Sequence, residues 1–260
     1  MAAPSSSEVT YGDYLAVDEL LQLQRPRSRP EQPDELLFIV VHQASELWFK
    51  VLLHEIDMLI ERLRGHDAMA ALASTRRINA LTRIVAAQLS ALDTLPPQRF
   101  AEFRGYLGTA SGGQSHQFRA IEAASGLRDD HFMAVLREHG EIPPVIQRTL
   151  ERPTLQALFL ELLEKRGETL EHVYANPAAS DLFFLAESLI EYEQGFQLWR
   201  YLHVQLVERI IGPQTGGTGG TLGAKYLQRT LSQRFFPRLW EVRARFFGGT
   251  STPPNNAPGT

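Results

Sequence analysis

The stretch "SDLFFLAESLIEYEQGFQLWRYLHVQLVERIIG", residues 180–212, decides the fold class. Wound at about 100° per residue, it reads as one helix that begins near Ser180 and is stopped by Gly212-Pro213. A helix of some thirty residues far exceeds the ordinary mean of about 11–12. It points to a bundle in which other long helices cover its length. Residues 34–65 supply one such partner, with Leu37, Val40, Ala44, Leu47, Trp48 and Val51 recurring at spacings of three and four. Residues 68–95 supply another, ended by Pro96-Pro97. A fourth helix is predicted over 224–247, bent near Pro237, and shorter ones over 114–125, 129–138 and 154–166. No segment alternates like a strand and no repeat is visible. The expectation is an all-α, long-helix bundle: a flexible tail over 1–8, one helical domain over 9–247, and a disordered tail "GGTSTPPNNAPGT" over 248–260.

Composition narrows the chemistry. The chain has 260 residues, 43% of them hydrophobic, enough to bury a sizeable core. It has no cysteine, which excludes disulfides, thiolate metal sites, a cysteine nucleophile and covalent haem attachment. A cysteine-free chain suits a reducing compartment, so a cytoplasmic location is expected. A net charge of −4 with mixed signs argues against nucleic acid as the main partner. The opening "MAAPSSSEVT" has neither a basic segment nor an apolar run, so no secretory signal is expected there. No stretch approaches the ~20 apolar residues of a membrane span.

Four places could carry chemistry. In "LFIVVHQASELWFK", residues 37–50, His42 shares a helix face with Phe38, Ile39, Ser45, Glu46 and Phe49. Val40, Ala44, Leu47 and Val51 occupy the opposite face, so the helix is expected inside the protein. His42 alone reads equally well as a buried neutral histidine bonded to a neighbouring helix. In the long helix, His203 sits on a stripe of Phe196, Trp199, Leu206, Val207 and Ile210. One imidazole amid an apolar stripe suits a haem axial ligand, or a satisfied core histidine. The loop "IIGPQTGGTGGTLGAKYL", residues 210–227, follows a helix rather than a strand and lacks the Gly-Lys-Ser/Thr of a phosphate loop. Its glycines permit close approach to a ligand, with Thr218 and Thr221 offering hydroxyls, or simply make it flexible. In "FAEFRGYLGTASGGQSHQFRAIE", residues 100–122, Arg104 among aromatics could clamp a carboxylate or form a surface ion pair.

Five motifs in order, "YGDYL", "HQASELWFK", "FRGYL..ASGGQS.QFR..E", "WRYLHVQLVERIIG" and "GTGGTLGAKYL", resemble the tryptophan 2,3-dioxygenase family over residues 11–246. The resemblance implies an all-helical homotetrameric enzyme with non-covalent haem b, ferrous when active, and O2 as co-substrate. His203 would be the iron ligand, with Trp199, Val207, Ser111 and Gly112 beside the porphyrin. His42 would accept the substrate indole N–H, Phe38, Phe100 and Leu107 would line the pocket, and Arg104 would pair with the carboxylate. Thr218 would hold the amino-acid end. Tyr11, Tyr14 and Leu15 would reach into a neighbouring subunit's site. The implied reaction is 2,3-cleavage of L-tryptophan or a substituted tryptophan to N-formylkynurenine.

The sequence also departs from that pattern. Leu89 stands where the family commonly has tryptophan, Gly113 replaces a phenylalanine, His116 a leucine and Leu222 a small residue. The loop between His203 and Thr218 is one residue longer. Smaller side chains at 89 and 113 allow a second outcome, a monooxygenase converting β-methyltryptophan to a 2-oxindole in natural-product biosynthesis. A non-catalytic haem-binding sensor is a third, opposed by the amino-acid clamp. His116 is expected to serve a helix cap or subunit contact rather than catalysis.

Overall fold

The computed structural model describes residues 9–128, 133–134, 136–137, 140–178, 180–216 and 223–247. Both expected tails, most of the 129–138 helix, Thr218, Thr221 and Leu222 lie outside the described residues. In chain order the α-helices are α1 (Tyr11–Leu15), α2 (Val17–Leu20), α3 (Pro33–Arg64), α4 (Ala68–Ala87), α5 (Pro97–Arg104) and α6 (His116–Ser125). They continue with α7 (Pro144–Leu150), α8 (Leu155–Lys165), α9 (Leu170–Ala175), α10 (Asp181–Ile211), α11 (Ala224–Thr230) and α12 (Pro237–Arg245). Among the described residues there is no strand.

The long helices start and stop where local chemistry dictates. Pro33 occupies the first turn of α3, where its missing N–H costs nothing. The Asp67 carboxylate accepts from Ala70 N at the head of α4, and Ser180 Oγ from Phe183 N at the head of α10. Gly212 ends α10 with φ of 82°, a conformation that glycine adopts without strain. α10 lies along α4, and α4 along α3. The contact is close enough that a Cβ on Gly195 would sit 3.1 Å from Thr82 Cγ2. Asn79 Nδ2 donates to the Ser188 carbonyl and hydroxyl, both at 3.2 Å, fixing the register of the pair. Leu52, Ile56, Leu59 and Leu63 of α3 meet Ile78 of α4 and Leu185, Leu189 and Tyr192 of α10 in the main core.

Several expectations are corrected. α4 stops at Ala87, and residues Gln88–Thr94 tighten into a 3₁₀ helix. The tighter winding has three residues per turn, so Leu89, Leu92 and Leu95 form one buried row. The expected 224–247 helix is two helices. Between them the N–H groups of Phe235 and Phe236 leave the helical ladder and donate to Glu193, both at 2.7 Å, before Pro237 opens α12. Residues 112–114 make a separate 3₁₀ turn, and α6 begins only at His116, capped by Ser115. Among the described residues nothing covers the outer face of α3: Val40 and Val51 are 44 and 39% exposed. Contrary to the expectation on membrane spans, α3 is by length and composition long and apolar enough to cross a membrane. Within the chain, α3 packs on α4, α6 and α8.

A second, smaller cluster joins Val41, Leu89, Leu92, Leu95, Phe100, Phe103 and Leu206 at one end of the bundle. Trp199 packs against both clusters. Beside the smaller cluster lies the site.

Candidate active site

A cavity of about 610 Å³ opens between α3, α5, α6 and α10. That size is ordinary for a ligand pocket. His42, Phe38, Phe100, Arg104, Ser111, Gly112, Trp199, His203 and Val207 all line it, so the structure brings together nine of the residues singled out above. Leu107 is not among them. It packs on the outside of the smaller cluster and lines a separate shallow pocket with Arg27, Glu35 and Tyr106, because the Gly105–Leu107 3₁₀ turn carries it off the α5 face. Tyr11, Tyr14 and Leu15 stand on α1, exposed and away from the cavity of their own chain.

The two histidines differ in how they are held. His42 Nδ1 lies 2.7 Å from the Phe38 carbonyl, one turn earlier on α3. A carbonyl only accepts, so the bond places the proton on Nδ1 and leaves Nε2 as an acceptor toward the cavity. Burial lowers the His42 pKa below its usual 6.5, against the opposing pull of the Phe38 carbonyl and the Glu46 carboxylate. His203 is pushed down further, to about 4, first by burial and then by the proximity of His42. Both shifts favour the neutral ring. His203 has no hydrogen-bond partner among the described residues. Its ring lies face to face with Trp199, 5.1 Å between centroids at 27°.

Aromatic rings shape the space. Phe38 touches His42 at 4.2 Å and Phe100 and Phe103 at 5.6 Å each. Trp199 is backed by Phe118 at 4.9 Å. Arg104 Nη2 donates to the Gly216 carbonyl at 2.6 Å, joining α5 to the start of the glycine-rich segment. The buried wall also carries charge that the sequence reading passed over. Glu122 accepts from Arg119 and from Arg200 on α10, each at 2.7 Å. The signal was present: Arg119 and Glu122 interrupt the otherwise apolar run from Phe118 to Ala124. Glu46 is a further cavity carboxylate, held by Gln117 Nε2 at 2.9 Å. His116, exposed at the first position of α6, lies outside the lining.

The donor set fits haem. A neutral imidazole with no partner among the described residues faces a space walled by Trp199, Phe118, Leu206 and Val207, and the Trp199 Nε1–H is itself buried with no acceptor among them. Such an orphan donor costs about 1–3 kcal/mol when nothing pairs it, as expected where a group belonging to the folded state is needed to complete the wall.

The family profile described as Tryptophan 2,3-dioxygenase matches residues 2–169 and 160–246. A protein of that name from Herpetosiphon aurantiacus is 40% identical, over 92% of this chain and 99% of its own. One from Anaeromyxobacter sp. is 41% identical, over 94% and 99%. One from Myxococcus xanthus is 36% identical, over 97% and 94%. With motifs, helical bundle and cavity in agreement, the chain belongs to the tryptophan 2,3-dioxygenase family and is an oxidoreductase of that kind.

Proposed function

We propose that His203 holds haem b in the cavity and that L-tryptophan binds between His42 and Arg104, its indole C2–C3 bond being cleaved with O2 to N-formylkynurenine. The observation that carries this reading is the arrangement of the two imidazoles on one apolar cavity. One is without a protein partner and the other has a fixed tautomer, with a guanidinium on the same lining. Ferrous haem supplies the O2-binding iron. The protein's own residues do the rest. Nε2 of His42 accepts the indole N–H, Phe38 and Phe100 flank the ring, and Arg104 offers paired donors to the carboxylate. The apolar walls keep water from the reacting centre. Thr218, outside the described residues, is assigned the ammonium end by resemblance alone. A cytoplasmic homotetramer, with Tyr11, Tyr14 and Leu15 of one chain serving a neighbour, accords with their exposure on α1 and with the uncovered face of α3.

The test is anaerobic reduction of haem-supplemented protein, titration with tryptophan, then isotopically labelled O2. A Soret band that shifts with tryptophan and a product carrying two labelled oxygens support the reading. Absence of a Soret band overturns it. His203→Ala should abolish stable haem binding.

A second reading is favoured by the wall at Gly113, where an added Cβ meets only Ser111 Oγ at 3.6 Å and Arg119 Nη2 at 3.9 Å. Leu89 is also in the lining, so both positions where the resemblance implies a larger aromatic side chain border the cavity. Single labelled oxygen in a 2-oxindole from β-methyltryptophan would establish the monooxygenase outcome.

A further inference from the structure

A metal-binding histidine is normally oriented through its second nitrogen, which donates to a carboxylate, a carbonyl or water. His203 has no such partner among the described residues, and Glu46, which lines the same cavity, is held by Gln117. Glu122 is paired with Arg119 and Arg200. Glu193 accepts from Phe235 N, Phe236 N and Trp240 Nε1. Glu208 accepts from Gln228 Nε2 at 2.7 Å. What the ring does have is Trp199, one helical turn earlier, lying nearly parallel to it. Trp199 cannot turn away, because Phe118 at 4.9 Å, Phe196 at 6.0 Å and Phe49 at 6.4 Å enclose its other sides.

We propose that Trp199 is the positioning residue for His203: its indole face, rather than a hydrogen bond, fixes the plane of the imidazole that the iron takes up. This rests on the haem reading above. An imidazole held by stacking carries no carboxylate on its second nitrogen, so it stays a plain neutral donor to the metal. The rigidity comes from packed rings and is lost when the stack is removed.

The experiment compares haem-loaded parent protein with Trp199→Leu and Trp199→Phe. The readouts are the iron–histidine stretching band of the ferrous form by resonance Raman and the rate of haem transfer to excess apomyoglobin. Trp199→Phe keeps a stacking ring and should retain a single band. Trp199→Leu should broaden or split the band and speed haem loss several-fold, up to about tenfold, the worth of one aromatic pair. If Trp199→Leu does not fold, Phe118→Leu removes the backing ring and should broaden the band in the same way. A band unchanged in the folded leucine variant overturns the inference while leaving the haem reading intact. A parent protein that takes up no haem overturns both.

Discussion

At the scale of single residues, the decisive detail is which nitrogen of His42 carries the proton. The Phe38 carbonyl fixes that choice, so His42 presents an acceptor and not a donor to the cavity. His42→Ala should lower kcat/KM for tryptophan by about tenfold, the worth of one hydrogen bond. It should affect an analogue methylated at the indole nitrogen far less, and steady-state kinetics with both substrates checks this. Arg104→Leu should raise KM by about 10–100-fold through the lost charged pair, with a smaller change in kcat. Of the site, His42, His203, Arg104, Phe38 and Phe100 were legible from residue type and motif order. The Nδ1 tautomer was not, because it depends on a backbone carbonyl. Leu107, on the 3₁₀ turn after α5, packs against the smaller cluster and not in the cavity lining, and residue type carries no record of that turn.

At the scale of elements, α3 and α10 were legible because their apolar period persists for eight or nine turns and their ends carry proline or glycine. The end of α4 was not. Leu89, Leu92 and Leu95 satisfy a three-residue row as well as a helical stripe, and only packing against Val41 and Leu206 selects the tighter winding. The break before Pro237 escaped for a similar reason: its cause is Glu193, far away in sequence. Glu193→Gln should lower stability by about 2–4 kcal/mol, since the buried carboxylate takes donors from four residues of the C-terminal segment, Arg234, Phe235, Phe236 and Trp240; denaturant unfolding measures it. At the other end, Glu35 anchors the strap before α3 by accepting from Arg27 N at 2.7 Å and Ser28 N at 3.0 Å. Burial acts to raise its pKa, but these bonds, the Ser28 hydroxyl and the Arg29 charge outweigh it, and the result lies below the usual 4.5. A carboxyl with a lowered folded pKa contributes stability that is present above its unfolded value and lost as pH falls through the folded one. Melting temperature should therefore drop more steeply below about pH 4.5 in the parent than in Glu35→Gln, which should already melt lower at pH 7.

At the scale of the whole molecule, the bundle leaves apolar side chains uncovered along the outer face of α3 and the aromatic pair of α1 standing clear of its own chain. The first follows from a helix whose two faces are apolar when only one has a partner within the described chain. The sequence reading saw two faces to bury and placed the helix inside; one chain covers only one of them. A homotetramer should appear in sedimentation equilibrium, and Val40→Glu with Val51→Glu should shift it to smaller species while the far-UV circular dichroism of the monomer unit is preserved.

Trp199 belongs to both hydrophobic clusters, the large one along the bundle and the small one around the cavity. Shared membership of this kind denies the cavity end a melting transition of its own. Native-state hydrogen exchange should show the slowest amides of α5 and of the middle of α10 opening with the same free energy, and a calorimetric scan of the apoprotein should give one peak rather than two.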